Sequence, residues 1–118
     1  MSEVPLVVRL VVTKRANGIC ERCLQPKPLY LHHRKQRSLG GLHTPANLVA
    51  VCARCHDHIH DYDSDALMYD TGWLLRSWQD PARAIIQMPR GWVRLLDSGD
   101  ALRLASVNPR VARPSGPA

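Results

Sequence analysis

The stretch Cys20–His60, CERCLQPKPLYLHHRKQRSLGGLHTPANLVAVCARCHDHIH, opens with one Cys-x-x-Cys pair and carries a second at Cys52 and Cys55. Two residues between thiolates let one tight turn present both sulfurs to one cation. Two such turns complete the closed tetrahedral four-sulfur set that structural zinc prefers. Cys20, Cys23, Cys52 and Cys55 are therefore read as ligands of a structural zinc, with free buried thiols and an iron–sulfur cluster as the alternatives. The 28 residues between the pairs exceed the usual ribbon interval, so the intervening segment must form structure of its own.

That segment has a clear order. A short apolar run, Leu29-Tyr30-Leu31, leads into His32-His33 and then into a basic, glycine-containing loop from Arg34 to His43. The order predicts a β-hairpin with a long exposed connection. Thr44-Pro45 opens one short turn containing Asn47, Leu48 to Val51 leads into the second cysteine pair, and a helix runs from Ala53 to about Tyr62. On that helix His56 and His60 stand four residues apart, roughly 40° around the axis, so both can face one ion while His58 points elsewhere. Adjacent strand residues point to opposite faces, so His32 and His33 cannot both be ordinary ligands of one ion. One can bind metal while the other addresses something nearby. His43 and His58 are read as having no metal role.

Working outward, Leu6 to Ala16 is read as a helix ended by Gly18, with a strand as the alternative because the run is rich in Val. Asp65 caps a further short helix through Tyr69, closed by Gly72. Trp73-Leu74-Leu75 and Ile85-Ile86 are strand-like. Trp92 to Leu96 joins Ala101 to Leu104 through Asp97-Ser98-Gly99-Asp100 as a hairpin. Asp61, Asp63 and Asp65 alternate like the start of a calcium loop, but Ala66 and Gly72 fall where Gly and Glu are required, which excludes that site. With no Phe in the chain, Trp73, Trp78 and Trp92 are read as its main core aromatics, base stacking being the alternative.

The 118 residues can bury one modest core, which rules out a two-domain enzyme. Aromatic residues make up 5% of the chain, so a bound metal would supply stability that burial does not. The net charge of +6 lies in one half: residues 1–60 hold nine Lys or Arg and three acids, whereas residues 61–118 hold seven of each. The first half is accordingly the polyanion-facing half. No signal peptide or membrane-length apolar run is visible, which predicts a soluble, intracellular protein whose cysteines bind metal rather than pair as disulfides.

Taken together, the two Cys-x-x-Cys pairs, Leu31-His32-His33-Arg34, Gly40-Gly41, Asn47-Leu48-Val49, Cys55-His56 and His60 resemble an HNH endonuclease of the zinc-knuckle ββα-metal type. The flanks, with Gly72-Trp73, Asp80-Pro81 and the final hairpin, resemble small bacteriophage HNH proteins more weakly. The resemblance implies that His33 is the general base, that His32 and His56 are metal ligands, and that His60 is a third ligand or a phosphate contact. It implies that Asn47 braces the loop beside the base. A neutral His can take a proton from water near neutral pH, and Arg34, Lys35 and Arg37 follow the base closely enough to neutralise phosphates.

The expected fold is α+β: a ββα-metal core stapled by a four-cysteine structural zinc, with a small C-terminal β-hairpin extension. Residues 1–62 form the core with its zinc knuckle, 63–107 a short helix and β extension packed on it, and 108–118 a disordered tail. The expected function is that of a metal-dependent HNH DNA endonuclease. It would use one catalytic divalent cation (Mg2+, Mn2+, Ni2+ or Zn2+) besides the structural Zn2+, and nick duplex DNA with low specificity in the cytoplasm of a bacterial host. The alternative is a noncatalytic zinc-stabilised DNA-binding protein. No membrane partner is expected. Phage packaging proteins and a homodimer are both compatible with the chain, as are roles in packaging, restriction and element mobility.

Overall fold

The computed structural model describes residues 3–61 and 65–104; the segment expected to form a tail lies outside them. The first element is helix α1 (Leu6–Ala16), which follows Pro5 and ends at Asn17 in the left-handed conformation, φ 57°. Asn17, one residue before the expected glycine, donates its N–H to the Lys14 carbonyl at 3.1 Å. Asn tolerates this region better than most side chains do. Lys14 and Arg15 occupy the last turn, where cations complement the helix dipole.

Strands β1 (Leu29–His33) and β2 (Leu48–Cys52) pair antiparallel with Leu29 opposite Cys52 and His33 opposite Leu48. All five residues of β2 are buried, as expected of a continuous apolar run covered on both faces. Its alternation sorts the neighbours: Leu48 and Ala50 pack with Val12 and Ala16 of α1, whereas Val49 and Val51 join a second cluster. That cluster holds Ile59 of helix α2 (Ala53–Asp61), Met68 of helix α3 (Asp65–Asp70), and Trp73, Ile86 and Leu95. Each such side chain contributes about 1.5–3 kcal/mol when fully buried, so β2, shared by both clusters, is the strand least tolerant of a polar residue.

Beyond α3 the chain forms a three-stranded antiparallel sheet, β3 (Ile85–Met88), β4 (Gly91–Leu95) and β5 (Ala101–Arg103), in the order β3-β4-β5. The C-terminal hairpin is thus present, extended by one strand. Trp73 to Leu75 does not form a strand of that sheet. Leu75 instead makes an isolated parallel bridge to Lys35, its N–H donating to the Arg34 carbonyl at 2.8 Å. The tryptophans also divide. Trp73 is buried, and its indole N–H donates to the Gln87 carbonyl at 3.0 Å. Trp92 is half-buried. Trp78 is 56% exposed, so it is no core aromatic; its ring lies near the guanidinium of Arg76, 5.9 Å from the centroid. No helix among the described residues is long and apolar enough to cross a membrane.

Candidate metal centre

Among the described residues two groups of side chains could hold a metal ion, and both fall in the Cys20–His60 stretch. The first gathers the sulfurs of Cys20, Cys23, Cys52 and Cys55 within 4.8 Å of one another. Cys23 Sγ and Cys52 Sγ are 3.8 Å apart, far beyond a disulfide bond, and a tetrahedron with metal–sulfur bonds of about 2.3 Å has edges of about 3.8 Å. The Cys20 sulfur accepts backbone N–H groups from Arg22 and Cys23 at 3.4 Å and from Cys52 at 3.3 Å. Burial pushes Cys55 up to about 12. Burial also opposes ionisation at Cys52, but hydrogen bonds from Cys55 and the neighbouring thiols outweigh it and bring that group to about 7. The donor set fits structural zinc.

The second group is His32, His56 and His60, whose ligating nitrogens lie within 4.8 Å of one another. Register explains the arrangement. His32 lies opposite Val49 on β1, and so faces the cluster that contains α2. Four-residue spacing on α2 then places the His56 and His60 rings 4.7 Å apart, with His60 4.9 Å and His56 5.4 Å from His32. His58 takes another direction and contacts Arg22, Nδ1 to Nη2, at 3.0 Å.

His32 is 1% exposed, and its Nε2 lies 2.7 Å from the Trp73 carbonyl oxygen. A carbonyl can only accept, so this nitrogen carries the proton and Nδ1 carries the lone pair. That Nδ1 is 3.2 Å from His60 Nε2, and two metal-bound nitrogens at about 2.0–2.1 Å on neighbouring positions are about 2.9–3.4 Å apart. Burial, followed by the neighbouring imidazoles, holds His32 down at about 3 despite the Trp73 carbonyl. The ring therefore stays neutral, the form that ligates metal.

His33, opposite Leu48, points away from His32. Its Nε2 is 2.9 Å from His43 Nδ1, so His43, which the sequence reading set aside, is the first neighbour of the expected base. Burial lowers the pKa of His33, with the nearby His43 and Arg37 adding to the effect. His33, His43 and His56 line one open groove of ≈530 Å³ together with Arg9, Tyr30 and Asp57.

Asn47, 0% exposed, closes the base of the connecting loop. Its Oδ1 accepts the Lys35 N–H at 2.7 Å, and its Nδ2 donates to the carbonyls of Lys35 and Leu42, both at 3.0 Å. Two flanks of the loop are thereby held to one side chain. The loop is drawn so tight that a Cβ on Gly41 would stand 1.7 Å from the Lys35 carbonyl oxygen, which is why glycine stands there.

The basic run after His33 does not behave as one unit. Arg34 is fully buried, and its guanidinium donates to the carbonyls of Gly72 at 2.9 Å, Ala46 at 2.9 Å, Pro81 at 3.1 Å and Ala84 at 3.0 Å. Arg34 is thus not a DNA phosphate contact: it is fully buried, and four of its five N–H donors are taken by backbone carbonyls. Burial, then the neighbouring Arg15, pushes it down to about 9, which leaves it charged at neutral pH. Lys35 is half-buried, with Nζ 3.3 Å from the Gln79 carbonyl. Arg37 is exposed on a 3-10 turn and donates to the Gly41 carbonyl at 2.8 Å. Arg9, not singled out by its sequence context, is an exposed cation that lines the histidine groove.

Two antiparallel strands and a helix that converge on a histidine cluster, stapled by four cysteines, define a ββα-metal domain. Residues 20–62 match the family model described as HNH endonuclease, and this segment is an HNH domain. The chain is also 35% identical over 63 residues to the type IV methyl-directed restriction enzyme EcoKMcrA of Escherichia coli (strain K12), a match covering 46% of this chain and 23% of that enzyme. The chain therefore spans about a quarter of that relative's length. No solved structure matches the chain.

Proposed function

We propose that this chain is a metal-dependent DNA endonuclease that hydrolyses phosphodiester bonds, with His33 as general base and His32, His56 and His60 as the ligands of one divalent cation. The observation that carries the reading is the orientation of His32: its Nε2 is committed to the Trp73 carbonyl, so its lone pair lies 3.2 Å from His60. A core histidine satisfied for stability alone does not need two further imidazoles around its remaining nitrogen. When bound, a divalent cation would polarise the scissile phosphate and offset the charge on the departing 3′ oxygen.

The chain's own residues supply the rest. His33 takes a proton from water as the water oxygen attacks phosphorus; the bond from phosphorus to the 3′ oxygen breaks, and that oxygen leaves with the electron pair and is protonated from solvent. Asn47 holds the loop that follows the base. Lys35, Arg37 and Arg9 neutralise the phosphates, contacts that position DNA without reading its sequence. One such centre acts on one strand per encounter, which favours nicking with weak sequence preference. The likeness of the flanks to small phage HNH proteins supports a phage-encoded protein acting in the cytoplasm of a bacterial host.

The test is incubation with supercoiled plasmid in Mg2+, Mn2+, Ni2+ or Zn2+, with analysis of the ends. Nicked circles with 5′-phosphate and 3′-hydroxyl ends are expected, and His33→Ala should slow turnover by roughly 100- to 10,000-fold without loss of DNA binding. Products with 3′-phosphates would overturn the pathway. Folded, zinc-loaded protein that binds DNA but fails to cut it with any of these metals would instead be a noncatalytic DNA-binding protein.

A further inference from the structure

We propose that His43 is a positioning residue for His33: its Nδ1 accepts a hydrogen bond from His33 Nε2–H, which leaves His33 Nδ1 as the nitrogen that receives the proton from water. The direction of that hydrogen bond and the last clause rest on the nuclease reading; the 2.9 Å contact between the two rings does not.

The geometry narrows the choice to two arrangements. His33 Nε2 and His43 Nδ1 are 2.9 Å apart, with ring centroids separated by 5.1 Å and planes inclined at 55°. A neutral imidazole has one N–H and one lone pair, so across this contact one ring donates and the other accepts. If His43 donated, the lone pair of neutral His33 would be used at Nε2 and its Nδ1 would carry hydrogen. No nitrogen of His33 could then take a proton from water while the contact lasts. If His33 donates, Nδ1 keeps its lone pair. Once His33 is protonated, its Nε2–H still points at the His43 lone pair, and the hydrogen bond becomes charge-assisted and stronger.

His43 is also held where it can do this. It directly follows Leu42, whose carbonyl accepts from Asn47 Nδ2 at 3.0 Å, and Asn47 is itself fully buried. Gly41, two residues before His43, has no room for a Cβ against the Lys35 carbonyl. The Asn47 brace therefore acts on the His33 ring through His43 as well as through the backbone of Lys35. Both rings border the groove that also reaches His56, so the freed nitrogen belongs to a ring that borders the same space as the metal ligands.

The deciding measurement is a long-range proton–nitrogen correlation spectrum of full-length protein with ring-labelled histidine, at a pH where both rings are neutral and with His33→Ala used to assign its signals. The His33 ring should show the Nε2–H tautomer in the wild type and a mixture in His43→Ala. A wild-type ring in the Nδ1–H form overturns the proposal. In the plasmid assay His43→Ala should lower kcat by about 10- to 100-fold, the range for partners that orient a working imidazole, with KM for DNA unchanged. His43→Asn, whose Oδ1 can replace the accepting nitrogen, should restore most of it. Equal rates in His43→Ala and the wild type, or no recovery in folded His43→Asn, would also overturn it. Wild-type protein that fails to cut with any of the metals defeats the nuclease reading alone, because the tautomer spectrum still decides the hydrogen bond.

Discussion

The backbone carbonyl of Trp73 accepts the Nε2–H of His32 at 2.7 Å, so a residue outside the Cys20–His60 stretch sets which nitrogen of a proposed ligand can meet metal. Partners of this kind fix tautomer and ring orientation and are part of a metal site as much as the ligands are.

The same burial makes stability depend on pH. His32 is held at about 3 in the folded chain against an ordinary 6.5, so its contribution is fully present above pH 6.5 and is lost as the pH falls from there toward 3. In that window the unfolded chain binds the extra proton, and the loss approaches about 1.4 kcal/mol per pH unit. Metal bound by the neutral ring would act in the same direction. Denaturation of wild type and His32→Asn at pH 7 and pH 5 should show the gap between them narrowing on acidification; a constant gap would count against this.

The two histidines that flank Asp57 should separate cleanly. His56→Ala is expected to weaken Mn2+ or Ni2+ binding by more than the roughly 10- to 100-fold typical of an outer-shell partner, yet to retain the cysteine-bound zinc. His58→Ala gives up its contact with Arg22 and should leave both metals in place. Calorimetric titration alongside elemental analysis checks both, and metal loss in His58→Ala would mean that the ligand set is wrong.

Arg34→Met should be a stability variant and not a DNA-binding one. It would leave four carbonyls, those of Ala46, Gly72, Pro81 and Ala84, without their donor. Each buried acceptor left unsatisfied costs about 1–3 kcal/mol, so a large fall in Tm is expected. The slope of DNA affinity against salt should stay at the wild-type value in the folded fraction; a slope reduced by about one would restore Arg34 as a phosphate contact.

Zinc removal should unfold the chain. Structural zinc contributes about 10–16 kcal/mol in small domains, comparable to the roughly 5–15 kcal/mol that holds a domain folded at all. One zinc per chain should be found by elemental analysis, and Cys20→Ser or Cys52→Ser should lose both zinc and the cooperative unfolding transition. Folded, monodisperse protein without zinc would exclude the site.

How far the sequence could be read depended on whether an interaction is local. The four-residue spacing of His56 and His60, the alternation of His32 and His33, and the two cysteine pairs are short-range patterns, and each has its geometric counterpart in the fold. Arg34 misled because an arginine between His33 and Lys35 looks solvated; its burial depends on carbonyls 38 to 50 residues away along the chain, and a carbonyl acceptor has no side-chain signature. The Trp73 carbonyl was invisible for the same reason. His43 could have been suspected, since a loop that leaves β1 at His33 and returns at Leu48 must bring residues near its base back past His33.

The Arg34 clamp also bears on portability. A designer wishing to graft this nuclease-like unit onto another scaffold would naturally lift out residues 20–62, the span of the family match. Of the four carbonyls around Arg34, that fragment keeps only the one at Ala46; the other three belong to residues 72, 81 and 84. It would also forfeit the Trp73 oxygen that orients His32. The smallest transplantable cassette must therefore run at least to Ala84, and one cut at residue 62 would leave the Arg34 guanidinium with the Ala46 carbonyl alone of its four backbone acceptors.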